Sequence, residues 1–182
     1  MITIGVLVLL FVLGNKYLVV AWVDKKPITR FEYYNALDKQ YGKDLREELI
    51  VERLLNDEAA SKKIVISGAE IDSEIKKLED QQGGADKLNE FLQMRNLSRD
   101  ELRKQMRLQM LVKKVFGAGV NISSEELNKY LEDNKQTLAS PSGEIDNKTK
   151  DSVREQLTQQ KINGVFNKWL TDNLRGNRVS RL

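Results

Sequence analysis

The side chains that most often carry enzyme chemistry are missing from this 182-residue sequence, which has no cysteine and no histidine. Without Cys there is no thiol nucleophile, no disulfide and no thiolate-bound metal, although an oxidising compartment is permitted. Without His, the commonest general base and the commonest metal ligand are both gone. Acid–base chemistry would have to rest on Asp, Glu, Lys or Tyr. The adjacent carboxylates Glu47-Glu48 and Glu125-Glu126 come nearest to an acid pair. Both lie in helix-like sequence interspersed with Lys and Arg, where such acids serve as solvated faces and helix caps. No catalytic residue, metal site or cofactor is expected. The side chains with another kind of chemistry are apolar and adaptable: Met94, Met106 and Met110 are flexible and polarizable, and Tyr33, Tyr34 and Phe91 add aromatic surface. Their helical spacing leaves open whether they face a binding surface or an ordinary core.

These residues need a scaffold, and the composition describes one. With 40% hydrophobic and 31% charged residues the chain can build a core beneath a heavily solvated surface. The net charge of +3 comes from interspersed residues of both signs, with no basic run of the kind that tracks a nucleic-acid backbone. A nucleic-acid partner is not expected.

From Met1 to Asn15 no side chain is charged, and Val6 to Leu13 is continuously apolar. As a helix this stretch would span only ~20 Å of a ~30 Å hydrocarbon core, and it lacks both a preceding basic residue and a small-x-small cleavage site. The expectation is a membrane anchor or signal segment over residues 1–15, read here as the distal part of an uncleaved anchor whose start lies upstream.

After Lys16, the β-branched run Leu18 to Val23 followed by Asp24-Lys25-Lys26-Pro27 reads as a short strand and a turn. Four capping-box patterns then mark helix starts: Thr29 with Glu32, Ser67 with Glu70, Ser98 with Glu101 and Ser123 with Glu126. Breakers and apolar periodicity predict helices from Thr29 to Tyr41, ended by Gly42, and from Lys43 to Lys63, with Leu45, Leu49, Leu54, Leu55 and Ala59 on a core face. Further helices are expected from Ser67 to Gln82, Ala85 to Arg95, Ser98 to Phe116, Ser123 to Asn134 and Thr149 to Leu174. The last of these docks through Phe166 and Trp169. Residues 135–148 form a polar loop, and Arg178 to Leu182 could be a second short strand. The fold class is therefore mainly α: six to seven helices in one domain over residues 16–182, a two-stranded β element pairing the chain ends, and the N-terminal membrane segment.

In order and spacing these segments resemble a known family. Val20 to Arg30 is similar to the opening of the SurA-type N-terminal chaperone domain. Leu49 to Leu55, Val65 to Asp72, Leu97 to Gln105 and Val120 to Leu127 with Tyr130 resemble its successive helix starts, and Gln156 to Leu170 resembles its returning C-terminal helix. The set covers residues 18 to 182. Two departures stand out. The family turn carries Asn-Gly where this chain has Asp24-Lys25, so a left-handed position here would hold a lysine at roughly 1 kcal/mol. Relatives also insert a parvulin-type prolyl isomerase before the last helix, whereas this chain has only the polar stretch 135–148, too short for a domain.

The resemblance implies a chaperone that holds unfolded or secreted polypeptides in an apolar helical cradle, without isomerase activity. Tyr33, Tyr34, Phe91, Met94, Met106 and Met110 are the candidate client contacts, and the expected location is the outer side of a membrane, reached through residues 1–15. The alternative is a helical scaffold that docks one specific membrane or secretion partner.

Overall fold

The computed structural model describes residues 18–138, 144–176 and 178–180. The expected membrane segment and the centre of the polar stretch, residues 139–143, lie outside the described residues. Among the described residues no helix is long and apolar enough to cross a membrane. The chain is mainly helical and divides into two compact units, Met1–Ile50 and Val51–Leu182.

The first unit opens with an antiparallel hairpin of β1 (Val19–Val23) and β2 (Lys26–Thr29). Val23 pairs with Lys26, Trp22 with Pro27 and Ala21 with Ile28, and an irregularity follows between Val19 and Ala21. The two-residue turn holds Asp24 at φ 47° and Lys25 at φ 65°. Positive φ at both central positions matches the right-handed twist of the strands, which is why such turns favour Asn, Asp and Gly. Lys25 thus occupies the left-handed position that the sequence comparison singled out. Pro27 is tolerated because its pair sits one step from the turn-closing pair, where the backbone nitrogen points away from the partner strand.

The expected β element is present, but it does not pair the chain ends. Its second strand is Lys26–Thr29, and Arg178 to Ser180 form no strand. A two-residue turn closes the smallest loop, so local pairing costs far less chain entropy than pairing with residues 150 positions away.

Helix α1 (Arg30–Ser61) follows directly and contributes residues to both units. The Thr29 hydroxyl accepts from the Glu32 amide at 3.1 Å, as the capping pattern predicts. The expected break at Gly42 does not occur. Gly42 is buried in mid-helix under the Asp38 and Arg46 side chains, which pair at 2.8 Å, and a Cβ there would collide with the Asp38 carboxylate. The glycine is therefore a space requirement and not a helix stop.

The second unit holds α2 (Gly68–Gln82), α3 (Ala85–Met94), α4 (Arg99–Phe116), α5 (Ser124–Asp133), the single turn α6 (Lys135–Leu138) and α7 (Asn147–Arg175). Ser67, Ser98 and Ser123 each form the reciprocal capping box read from sequence. Asp146 caps α7 by accepting from the Thr149 amide at 2.6 Å. The main core gathers Leu55 and Ala59 of α1, Ile66 of the linker that follows, Ile71 and Ile75 of α2, Leu88 and Leu92 of α3, Leu102, Leu111, Val115 and Phe116 of α4, and Ile162 of α7. A smaller core of Leu127, Leu131 and Val153 joins α5 to the start of α7. The returning helix is fixed by an aromatic cluster: Phe116 meets Trp169 at 5.0 Å and Phe166 at 5.4 Å. Phe166 and Trp169 are half-buried against the core, as expected of the residues that dock α7. Leu45 and Leu49 depart from expectation, since both are 52% exposed.

Candidate client-binding surface

In the second unit, polar side chains act mainly as structural fasteners. Lys114 of α4 pairs with Glu70 of α2, Lys104 with Glu52 at 2.9 Å, Arg99 with Glu79 at 2.9 Å, and Lys161 of α7 with Glu126 of α5 at 2.7 Å. The Glu70 carboxyl is held down to about 2, chiefly by the Lys114 ammonium and then by the Ser67 amide and hydroxyl that cap α2. Glu126 is lowered by Lys161 and by the Ser123 amide, and Glu101 by the Ser98 amide and hydroxyl. These carboxylates are stabilised as anions at helix starts, which is a capping role and the opposite of a poised general acid. Among the described residues no three His, Cys, Asp or Glu are grouped to hold a metal ion.

The clefts are polar as well. An open depression of about 860 Å³ beside α5 is lined by Glu125, Lys129, Glu132, Lys135, Glu144 and Lys150, together with Leu131 and Ile145. A notch of about 230 Å³ between α2 and α4 is flanked by Arg99 and Arg103, which pair with Glu79 and Asp72. Neither wall suits an apolar ligand.

Apolar surface is concentrated elsewhere. Thirteen large hydrophobic side chains stand open among the described residues, and ten of them lie between Leu18 and Leu49. In the hairpin these are Leu18, Val20, Trp22 and Val23. On the first half of α1 they are Phe31, Tyr33, Tyr34, Tyr41, Leu45 and Leu49. Positions 31, 34, 41, 45 and 49 recur at three, seven, four and four residues, which places them in one row along a helix. The row is therefore an apolar stripe on the first unit, interrupted midway by Asp38, which pairs with Arg46.

The six residues selected from sequence fall into two groups. Tyr33 and Tyr34 are on α1 in the first unit, with ring centroids 5.8 Å apart, and Arg30 donates to the Tyr34 hydroxyl at 3.4 Å. Phe91 and Met94 of α3 and Met106 and Met110 of α4 are in the second unit. Met94 is 78% exposed, whereas Phe91, Met106 and Met110 are half-buried against the main core. The Arg95 guanidinium covers the Phe91 ring at 4.4 Å. Sequence reasoning missed Phe31, Tyr41, Leu45 and Leu49 as a surface row. Their periodicity was visible, but a core stripe and a binding stripe have the same period.

Residues 41–116 match the SurA-like N-terminal domain family. Among curated relatives, 130 residues are 28% identical to "Foldase protein PrsA 1" of Listeria monocytogenes serotype 4b (strain F2365), covering 71% of this chain and 42% of that protein. A 117-residue stretch is 26% identical to "Putative peptidyl-prolyl cis-trans isomerase YacD" of Bacillus subtilis (strain 168), covering 64% of this chain and 37% of that protein. The crystal structure of PrsA from Bacillus subtilis superposes with a TM-score of 0.44 at 25% identity, over 64% of this chain and 42% of that one. The chain thus spans about two fifths of the length of the curated relatives it matches. Between α5 and α7 it has only residues 134–146, which bears out the expected lack of an inserted domain at that point.

Proposed function

We propose that this chain is a membrane-anchored holdase: residues 1–15 hold it on the outer face of a membrane, and its open apolar surface binds unfolded or newly secreted polypeptide. The observation that carries this reading is the exposed row of Phe31, Tyr34, Tyr41, Leu45 and Leu49 in a chain whose residues 41–116 match the SurA-like N-terminal family. A folded domain rarely leaves so many large apolar side chains grouped in water unless something binds there. Tyr33 flanks the stripe. On the second unit, Met94 with Phe91, Met106 and Met110 supplies a further adaptable apolar contact. No cofactor is required. The module binds exposed apolar segments weakly, lowers the free concentration of aggregation-prone chain, and releases it as folding buries those segments. Lacking an inserted isomerase domain, these residues hold clients without catalysing proline isomerisation.

Photo-crosslinking tests the reading. A photoreactive residue at Tyr34 or Leu45 is expected to crosslink to several unrelated unfolded polypeptides, and one at Lys129 to none. Crosslinking at Tyr34 to a single membrane partner, with no unfolded chain captured, would instead assign a dedicated docking scaffold.

A further inference from the structure

Residues 16–31 carry four cations, Lys16, Lys25, Lys26 and Arg30, against the single carboxylate Asp24. Their net charge of +3 equals that of the whole chain, so the rest of the sequence is electrically balanced. The same short stretch exposes Leu18, Val20, Trp22, Val23 and Phe31 at 43% to 76% of their surfaces. Successive side chains of a strand point to opposite faces, and Val20 to Val23 are all exposed, so β1 presents apolar groups on both sides. A two-stranded hairpin is marginal alone in water, and among the described residues this one has no third strand and only Val19, Ile28 and Thr29 half-buried.

We infer that the β1–β2 hairpin is an interfacial membrane element, lying in the headgroup region of the bilayer with Trp22 at the acyl boundary and Lys25, Lys26 and Arg30 among anionic lipid headgroups. The inference rests on the proposal that residues 1–15 hold the chain at a membrane. Three features select a lipid surface over a second copy of the chain or an unfolded client. Val19 comes only four positions after Asn15, where the uncharged stretch ends, so the base of β1 stays within about 14 Å of that point. Such a tether makes bilayer contact effectively intramolecular. The pairing of Trp with flanking Lys and Arg is the composition that membrane interfaces favour, because the indole has an apolar body and a polar edge while the cations meet anionic lipid. Finally, among the described residues no third strand pairs with the outer strand edges, whose N–H and C=O groups are costly in hydrocarbon and solvated among headgroups. The hairpin must therefore sit shallow.

The test uses the full chain reconstituted into vesicles of phosphatidylcholine and phosphatidylglycerol that include lipids brominated either near the headgroup or near the chain end. Vesicle flotation reports anchoring. The emission lost in Trp22→Phe isolates Trp22 from Trp169, and circular dichroism checks that the variant is folded. The expected result is that Trp22 emission is quenched more strongly by the shallow bromine than by the deep one. The charge-removing pair Lys25→Asn/Lys26→Gln, in which Asn still accepts the left-handed turn, is expected to lose most of the dependence on phosphatidylglycerol. Flotation without Trp22 quenching would overturn the hairpin inference and leave the anchor standing. Absence of flotation would overturn both. Concentration-dependent crosslinking between residues 22 of two chains, without quenching, would assign the face to a second copy and also overturn the inference.

Discussion

The exposed stripe on α1 makes a quantitative demand on client binding. Leu45 and Leu49 are each 52% exposed, so about half of each side chain remains to be buried under a bound polypeptide. Full burial of a leucine is worth about 1.5–3 kcal/mol, which leaves about 1 kcal/mol for each of these two. Replacing both by Gln removes that gain while keeping a helix former of similar length. The double variant Leu45→Gln/Leu49→Gln should therefore lose about 2 kcal/mol of client affinity, roughly a 30-fold rise in Kd. Because both sites face solvent, folding stability should move by no more than about 0.5 kcal/mol at each. Fluorescence anisotropy of a labelled, permanently unfolded polypeptide gives the first quantity and urea unfolding the second. An unchanged Kd in a variant that is as stable as the parent would refute the assignment of this stripe. A large loss of stability would refute it too, because it would show that the two leucines are core residues.

Other predictions concern the scaffold. Leu88 is fully buried at the centre of the main core, so Leu88→Ala should cost about 2–5 kcal/mol, seen as a lower urea midpoint with an unchanged slope. Lys25→Gly should stabilise the hairpin by about 1 kcal/mol, read from Trp22 fluorescence on heating, because glycine adopts the observed φ of 65° without penalty. Ser98→Ala removes the hydroxyl that accepts from the Glu101 amide at 3.1 Å and should cost about 1 kcal/mol by the same unfolding assay. The Glu70 carboxyl titrates at about 2 in the fold against 4.5 for the free group, and a depressed acid stabilises the fold above its unfolded value. That contribution is fully present above pH 4.5 and is lost as pH falls towards 2. Glu70→Gln should accordingly flatten the fall in stability across this window, followed by circular dichroism.

How much of this was legible in the sequence follows from which physical signals are local. The serine-started helices were, because a capping box is a contact within four residues: Ser67, Ser98 and Ser123 all form it as read. The docking of the last helix by Phe166 and Trp169 was legible too, since an apolar stripe on a C-terminal helix has to be covered. Gly42 was not, because glycine signals a helix stop and close packing equally well. Only the Asp38–Arg46 pair over it decides between them. The second strand was hidden by Pro27, which argues against a strand unless its nitrogen faces outward, as it does beside a two-residue turn. Leu45 and Leu49 of the surface row were misread as core for a similar reason. Periodicity identifies the face of a helix but not what lies against it.

The central claim is that this surface holds unfolded chains without regard to their sequence. The most direct test follows light scattering of two unrelated unfolding proteins in the presence of the full chain reconstituted in lipid nanodiscs. The account predicts that aggregation of both is suppressed as the chain approaches equimolar, and that the Leu45→Gln/Leu49→Gln variant requires many-fold more. Undiminished aggregation of both proteins at several-fold excess of the chain would contradict it.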